Sequence, residues 1–177
     1  ASLPLPAEHR PRRRGGESPI AVVDVLFTAR ETRAAVQTLA FNLPNDEKIN
    51  KEMGAKRVML KNVQEAKFNR VLVPIAKVAL SKADQKRVAF EAFFTHILMH
   101  ELMHGLGPHQ VTPGGQAVRL ALKDTYSALE EAKADISGLW ALRQLADKGA
   151  VSKQIADTMY TTFLASAFRS IRFGITE

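Results

Sequence analysis

Residues 100–104 read His100-Glu101-Leu102-Met103-His104, which fits H-E-x-x-H. On an α-helix, side chains four residues apart stand one above the other on one face, so His100 and His104 can grip a single ion together. Glu101 lies one step round the helix, where it reaches a water held by the ion rather than the ion itself. Two nitrogens on a metal with a carboxylate beside the water is the arrangement of a zinc hydrolase. The bland alternative is a pair of ordinary helix histidines. Phe93, Phe94, Ile97, Leu98, Leu102 and Leu106 make the same segment broadly apolar. An acid and two imidazoles in such a helix are costly unless something pairs with them.

Two histidines do not complete a hydrolytic site, and two residues are candidates for the third ligand. The longer pattern H-E-x-x-H-x-x-G-x-x-H places its glycine at 107, where Gly107 stands, and its last histidine at 110, where Gln110 stands. His109 misses by one residue, beside Pro108. The other candidate is Glu131. From Glu131 to Asp135 the spacing is E-x-x-x-D, so on a helix both carboxylates face the same way. One can bind the ion while the other holds a ligating histidine through its second ring nitrogen. Charged runs of this kind are more often solvated faces. Ala132, Ala134, Ile136, Leu139 and Trp140 surround this one, so the helix is expected to pack closely on most sides. Glu131 is the expected ligand and His109 the alternative. His96 sits one turn before His100, about 6 Å further along the axis, and reads as a core or supporting histidine. Met99, Met103 and Trp140 read as packing residues.

The elements that position these residues follow from periodicity and breakers. Residues 20–27, Ile-Ala-Val-Val-Asp-Val-Leu-Phe, form a β-branched run that predicts a buried strand, and 34–41 a second. Asn42-Leu43-Pro44-Asn45 breaks the chain. Helices are expected over about 63–80, with Pro74 a kink or boundary, and over 87–107, stopped by Gly105 or Gly107 and then Pro108. A third helix covers about 116–149, closed by Gly149, and a fourth follows Ser152 as N-cap. The expected fold class is mainly α (α+β): a helical zincin-like core in which the H-E-x-x-H helix packs on the E-x-x-x-D helix, with a small β element near the N-terminus.

Bulk composition narrows the classes. The 177 residues are 46% hydrophobic, enough for one domain with a core. The chain has no cysteine, which excludes disulfides and thiolate ligands. No apolar run reaches the roughly 18–20 residues of a membrane span, and no secretory core opens the chain, so we expect a cytoplasmic protein without a membrane partner. The net charge is +7, and much of it lies in Glu-His-Arg-Pro-Arg-Arg-Arg-Gly-Gly, residues 8–16. Residues 1–18 are therefore expected to be a flexible basic arm, and 19–177 the core, read as part of a longer fold. No aromatic interleaves the arginines and no nucleic-acid motif follows, so a nucleic-acid-binding module stands only as a rival reading.

At this point the residues resemble a known family. His-Glu-Leu-Met-His-Gly-Leu-Gly-Pro (100–108), followed by the segment from Tyr126 to Trp140, is similar to the dipeptidyl peptidase III family of zinc exopeptidases. The resemblance is closest to bacterial relatives, some tied in name to Nudix hydrolases. Residues 23–46, 54–67 and 163–177 resemble further segments of that family. The resemblance implies that His100, His104 and Glu131 bind zinc and that Glu101 activates the water. Glu130 and Asp135 match the acidic pair flanking the zinc glutamate. Asn42 and Asn45 match asparagines that hold the peptide backbone of the substrate. The implied activity is removal of N-terminal dipeptides from short peptides. A rival is a zinc-binding core with little or no turnover. Better-known members read H-E-x-x-G-H, one residue longer, and often carry Gly where Arg30 and Ala35 stand here. They are several times longer, with two lobes around a cleft, and carry a further catalytic histidine beyond the point matching Glu177.

Overall fold

The computed structural model describes residues 20–27, 40–43, 56–108, 110–112 and 115–171. The basic arm, Arg30, Ala35, Asn45 and His109 lie outside the described residues. Three strands form one small sheet in the order β1-β3-β2: β1 (Ile20–Val23), β2 (Ala40–Leu43) and β3 (Lys56–Leu60). β1 runs parallel to β3 and β2 antiparallel to it, with Val22 opposite Met59 and Asn42 opposite Arg57.

The sheet departs from expectation in three ways. The first strand stops at Val23, and among the described residues the second spans 40–43, at the end of the segment expected. The strand at Lys56–Leu60 is not visible as a strand in the sequence, because Lys56 and Arg57 mask a short apolar run. Finally, Val22 and Val23 are 44% and 41% exposed rather than buried. They lie on an edge strand, where fewer neighbours cover each side chain, whereas Met59 on the central strand is fully buried. Beyond β1 the backbone is held by a side chain. Asn62 accepts from the Val25 N–H at 3.0 Å and donates to the Val25 carbonyl at 2.9 Å, as a neighbouring strand would. The Asp24 carboxylate in turn accepts the Asn62 N–H at 3.2 Å.

From β3 the chain enters a long helical rod: α1 (Lys61–Lys67), a π-helical turn (Phe68–Leu72) and α2 (Val73–Ala79). The turn explains how Pro74 fits. A proline inside a helix clashes with the carbonyl four residues back, here that of Arg70, and cannot donate to it. Widening the turn lets Val73 donate to Phe68 instead, and the rod continues with Pro74 in the first turn of α2. A single turn, α3 (Lys82–Gln85), capped by Ser81, leads to α4 (Phe90–Met103), the H-E-x-x-H helix.

α4 is buried on two sides, which is why its sequence is apolar nearly all round. Phe93 packs with Phe68, Leu72, Ala76 and Ala165, while Ala92 and Met99 pack with Leu142, Ile155 and Met159. Its first residues lack a side-chain cap of their own. Buried Thr162, from the last helix, supplies one by accepting the Ala89 N–H at 3.1 Å.

The expected helix over 116–149 is broken. α5 (Val118–Leu122) ends at Lys123, whose φ of 49° is left-handed, and a 3₁₀ turn (Lys123–Thr125) intervenes before α6 (Tyr126–Asp147). Thr125 donates its hydroxyl to the Leu122 carbonyl at 2.7 Å, the kind of local bond that competes with a continuing helix. Gly149, at φ 68°, closes α6 as expected, and α7 (Lys153–Ile171) begins with Ser152 accepting the Ile155 N–H at 3.3 Å. The expectation that α6 packs closely on most sides fails. Ala132 is exposed, and Leu129 and Ile136 are 52% and 68% exposed. Only the face bearing Ala134, Gly138 and Leu142 is buried. Among the described residues no helix is long and apolar enough to cross a membrane.

That buried face meets α4 at very short range. A Cβ placed on Gly138 would lie 2.9 Å from the His100 backbone nitrogen and 3.3 Å from the Met99 carbonyl carbon. Backbone cannot yield as a flexible side chain can, so any larger residue here separates the two helices. Gly138→Val is expected to destabilise the fold by about 2 kcal/mol through overpacking, a fall in melting temperature of roughly 4–8 °C for a chain of this size. An unchanged melting temperature would show that the α4–α6 contact has slack.

Candidate metal centre

The contact of α4 with α6 brings the histidines of one against the acids of the other. His100 Nδ1 lies 2.7 Å from Asp135 Oδ1, and His104 Nδ1 lies 2.9 Å from Glu130 Oε1. A carboxylate only accepts, so each Nδ1 carries the proton and each Nε2 presents a lone pair. The two Nε2 atoms face one another at 3.0 Å. Glu131 closes the third side, its carboxylate oxygens 3.3 Å from His100 Nε2 and 3.7 Å from His104 Nε2. One ligand atom from each of His100, His104 and Glu131 lies within 4.8 Å of the others.

This donor set fits a divalent zinc ion. Two imidazole lone pairs and a carboxylate aimed at one point repel unless a cation stands between them. Tetrahedral nitrogen ligands at the usual zinc distance stand about 3.3 Å apart, close to the spacing found here. The carboxylates behind the rings fix their tautomers, as metal-binding histidines require. Glu131 is 60% exposed while His100 is 16% exposed, so the site is walled on the helix side and open opposite.

The electrostatics are those of an acidic pocket. Burial disfavours a charged His100, but the hydrogen bond it donates to Asp135 and the charges of Asp135, Glu131 and Glu101 outweigh it and raise the ring's pKa. Burial likewise pushes the Asp135 carboxyl up, and the hydrogen bond and charge of His100, with smaller help from His96 and Arg169, bring it below its usual value. Glu130 is lowered against its burial by hydrogen bonds from Lys133 and His104.

The other sequence candidates fall as follows. Glu101 is half-buried at the next position on α4, and its charge acts on the His100 ring. His96 is buried behind the cluster and outside the ligand set, its ring edge against Phe163 at 4.9 Å, its Nε2–H donated to the Asp135 backbone carbonyl at 3.2 Å and 3.9 Å from the Asp135 carboxylate. Burial lowers its pKa. Among the described residues Glu131, not a histidine of the following loop, is the third member of the cluster; His109 lies outside them. Asn42 sits on β2, at the sheet edge opposite Arg57, and the structure does not describe its side chain. Sequence reasoning missed Lys133 and Gly138. The signals were a lysine three residues after Glu130 and a glycine in the middle of a long helix.

The fold and cluster together define a mainly helical core with a two-histidine, one-carboxylate site. Solved structures agree with that class. Dipeptidyl-peptidase III from Corallococcus sp. strain EGB is 67% identical with a TM-score of 0.76, over 89% of this chain and 30% of its own. The enzyme from Caldithrix abyssi is 48% identical with a TM-score of 0.88, over 99% of this chain and 34% of its own. Among curated proteins, Nudix hydrolase 3 of Arabidopsis thaliana is 53% identical over 163 residues, 90% of this chain and 21% of that protein. The chain therefore spans about a third of the solved structures and a fifth of the curated relative. No family model matches it.

Equilibrium dialysis against zinc is expected to give one ion per chain, with most of it lost in Glu131→Ala and none in His109→Ala. Asp135→Ala, which frees the His100 ring, is expected to weaken binding by about 10–100-fold. The opposite ranking of the first two variants would move the third ligand into the loop.

Proposed function

We propose that this chain is the zinc-bearing core of a dipeptidyl-peptidase III-type enzyme, which removes N-terminal dipeptides from short peptides. The observation that carries the reading is the convergence of both Nε2 atoms and the Glu131 carboxylate, with each Nδ1 tied back to an acid. High identity to two dipeptidyl-peptidase III structures supports the substrate class. The name of the Nudix hydrolase belongs to a protein of which this chain matches a fifth.

When bound, zinc supplies a Lewis acid that polarises the scissile carbonyl and makes a water acidic near neutral pH. The protein's own residues do the rest. His100, His104 and Glu131 hold the ion, and Asp135 and Glu130 keep the two imidazoles in the binding tautomer. Glu101 takes a proton at its carboxylate and passes it to the departing amine. Asn42 and Asn45 would hold the peptide backbone, as the resemblance to the family implies. A second reading, a core that binds zinc with little turnover, concerns the 177 residues assayed by themselves. Substrate must be held on more than one side for efficient cleavage.

A fluorogenic dipeptide substrate tests both. Glu101→Gln keeps the side chain's shape, so zinc content is expected to stay while any dipeptide release falls by about 10² or more. Activity that survives this change removes Glu101 as the base. Against the Corallococcus enzyme assayed alongside, the 177-residue chain is expected to turn over far more slowly; equal turnover would rule out the second reading.

A further inference from the structure

Lys133 takes no part in the metal cluster, yet its ammonium makes two short hydrogen bonds at the cluster's edge. One goes to Glu130 Oε1 at 2.7 Å and one to the Leu106 backbone carbonyl at 2.7 Å. Glu130 Oε1 is the same atom that lies 2.9 Å from His104 Nδ1. A continuous relay thus runs from the Leu106 carbonyl through Lys133 and Glu130 to the His104 ring. Leu106 lies three residues past the end of α4, so the relay joins the turn after the H-E-x-x-H helix to the acid-bearing helix.

Each link has a physical reason. Lys133 follows Glu130 by three residues on α6, which places the two side chains side by side. Their side chains are 34% and 20% exposed, so the pair is partly shielded from water and worth more than a surface ion pair. Carbonyls just past a helix C-terminus favour a cation. The lysine stem passes beside Gly107, within 3.8 Å of where a Cβ would stand, and Gly107 adopts φ 102°, which a side chain would strain. A Cβ there would meet the lysine only at ordinary contact distance, so the glycine serves the backbone conformation of the turn, and it is that turn which presents the Leu106 carbonyl to the ammonium.

We propose that Lys133 is a positioning residue for His104. It grips Glu130 from one side and the Leu106 carbonyl from the other, and so fixes the carboxylate that aims the His104 ring at the ion. His100 is aimed from the other end of the site by Asp135, which no lysine on α6 bridges to the α4 turn in this way. The inference rests on the metal-binding reading above, but it concerns how well the ion is held, not whether peptides are cut.

Competition for zinc with a chromophoric chelator tests it on the 177-residue chain. Lys133→Met keeps the aliphatic stem and removes the donors; it is expected to weaken zinc binding about 3–10-fold, less than loss of a residue that directly contacts a ligating imidazole. Lys133→Arg, which can still donate to both acceptors, is expected to restore affinity to within about twofold. In a Glu130→Gln background the methionine substitution is expected to change affinity less than about twofold, because residues acting through one another do not add. Full affinity in Lys133→Met, or an equal loss in both backgrounds, would overturn the proposal. If the methionine variant melts early, Lys133→Ala serves in its place: a loss that Lys133→Arg does not show supports the relay, and wild-type affinity overturns it. A wild-type chain that binds no zinc would sink the metal reading itself, a result separable from a chain that binds zinc equally well with and without the lysine.

Discussion

The structure depends on one close contact, the approach of α6 to the α4 backbone at Gly138 and His100. That approach sets the imidazoles of α4 against the Glu130, Glu131 and Asp135 carboxylates of α6 within a few ångströms. The missing Cβ at Gly138 and the small Ala134 one turn earlier remove the spacing that packed side chains normally impose. Apolar packing then holds the approach in place. Met99 and Ala92 of α4 and Leu142 of α6 share one core cluster with Ile155 and Met159 of α7, so the helix pair is clamped by hydrophobic burial.

That division of labour gives the centre two kinds of support. The apolar side sets where the helices lie, and a set of charged hydrogen bonds sets which way each ring points. Asp135 and Glu130 perform the second task, and both carboxyls remain ionised despite partial burial because a partner stabilises their charge. Neither support suffices alone. Misaligned rings on well-packed helices would waste the donor set, and well-oriented rings on helices too far apart would never meet.

Much of this was legible in the sequence, for reasons tied to particular residues. Helical spacing places His100 over His104 and Glu131 beside Asp135 without any knowledge of tertiary structure, because periodicity is a local property. Ser152 and Gly149 mark helix ends through local backbone chemistry in the same way. What stayed hidden depends on contacts distant in sequence. The strand at Lys56–Leu60 exists because β1 and β2 pair with it. The break at Lys123 turns on a backbone conformation that composition does not announce. The exposure of Ile136 and Leu129 contradicts a reading of α6 as evenly packed, since apolar residues in sequence do not say which of them find partners. Gly138, which periodicity alone passes over, sits where α6 comes within 2.9 Å of the His100 backbone nitrogen, measured from the Cβ it lacks.

The cap that Thr162 gives to the start of α4 has a mechanical consequence. A helix packed mainly through apolar contacts can slide a little along its axis and spin about it at small cost. Here α7 holds the leading end through the Ala89 N–H, while the α6 acids grip the two imidazoles near the trailing end. With both ends anchored to different neighbours, α4 behaves as a tie rod. The position of the two histidines is therefore tied to α7 as well as to α6, although the cluster itself is drawn from α4 and α6.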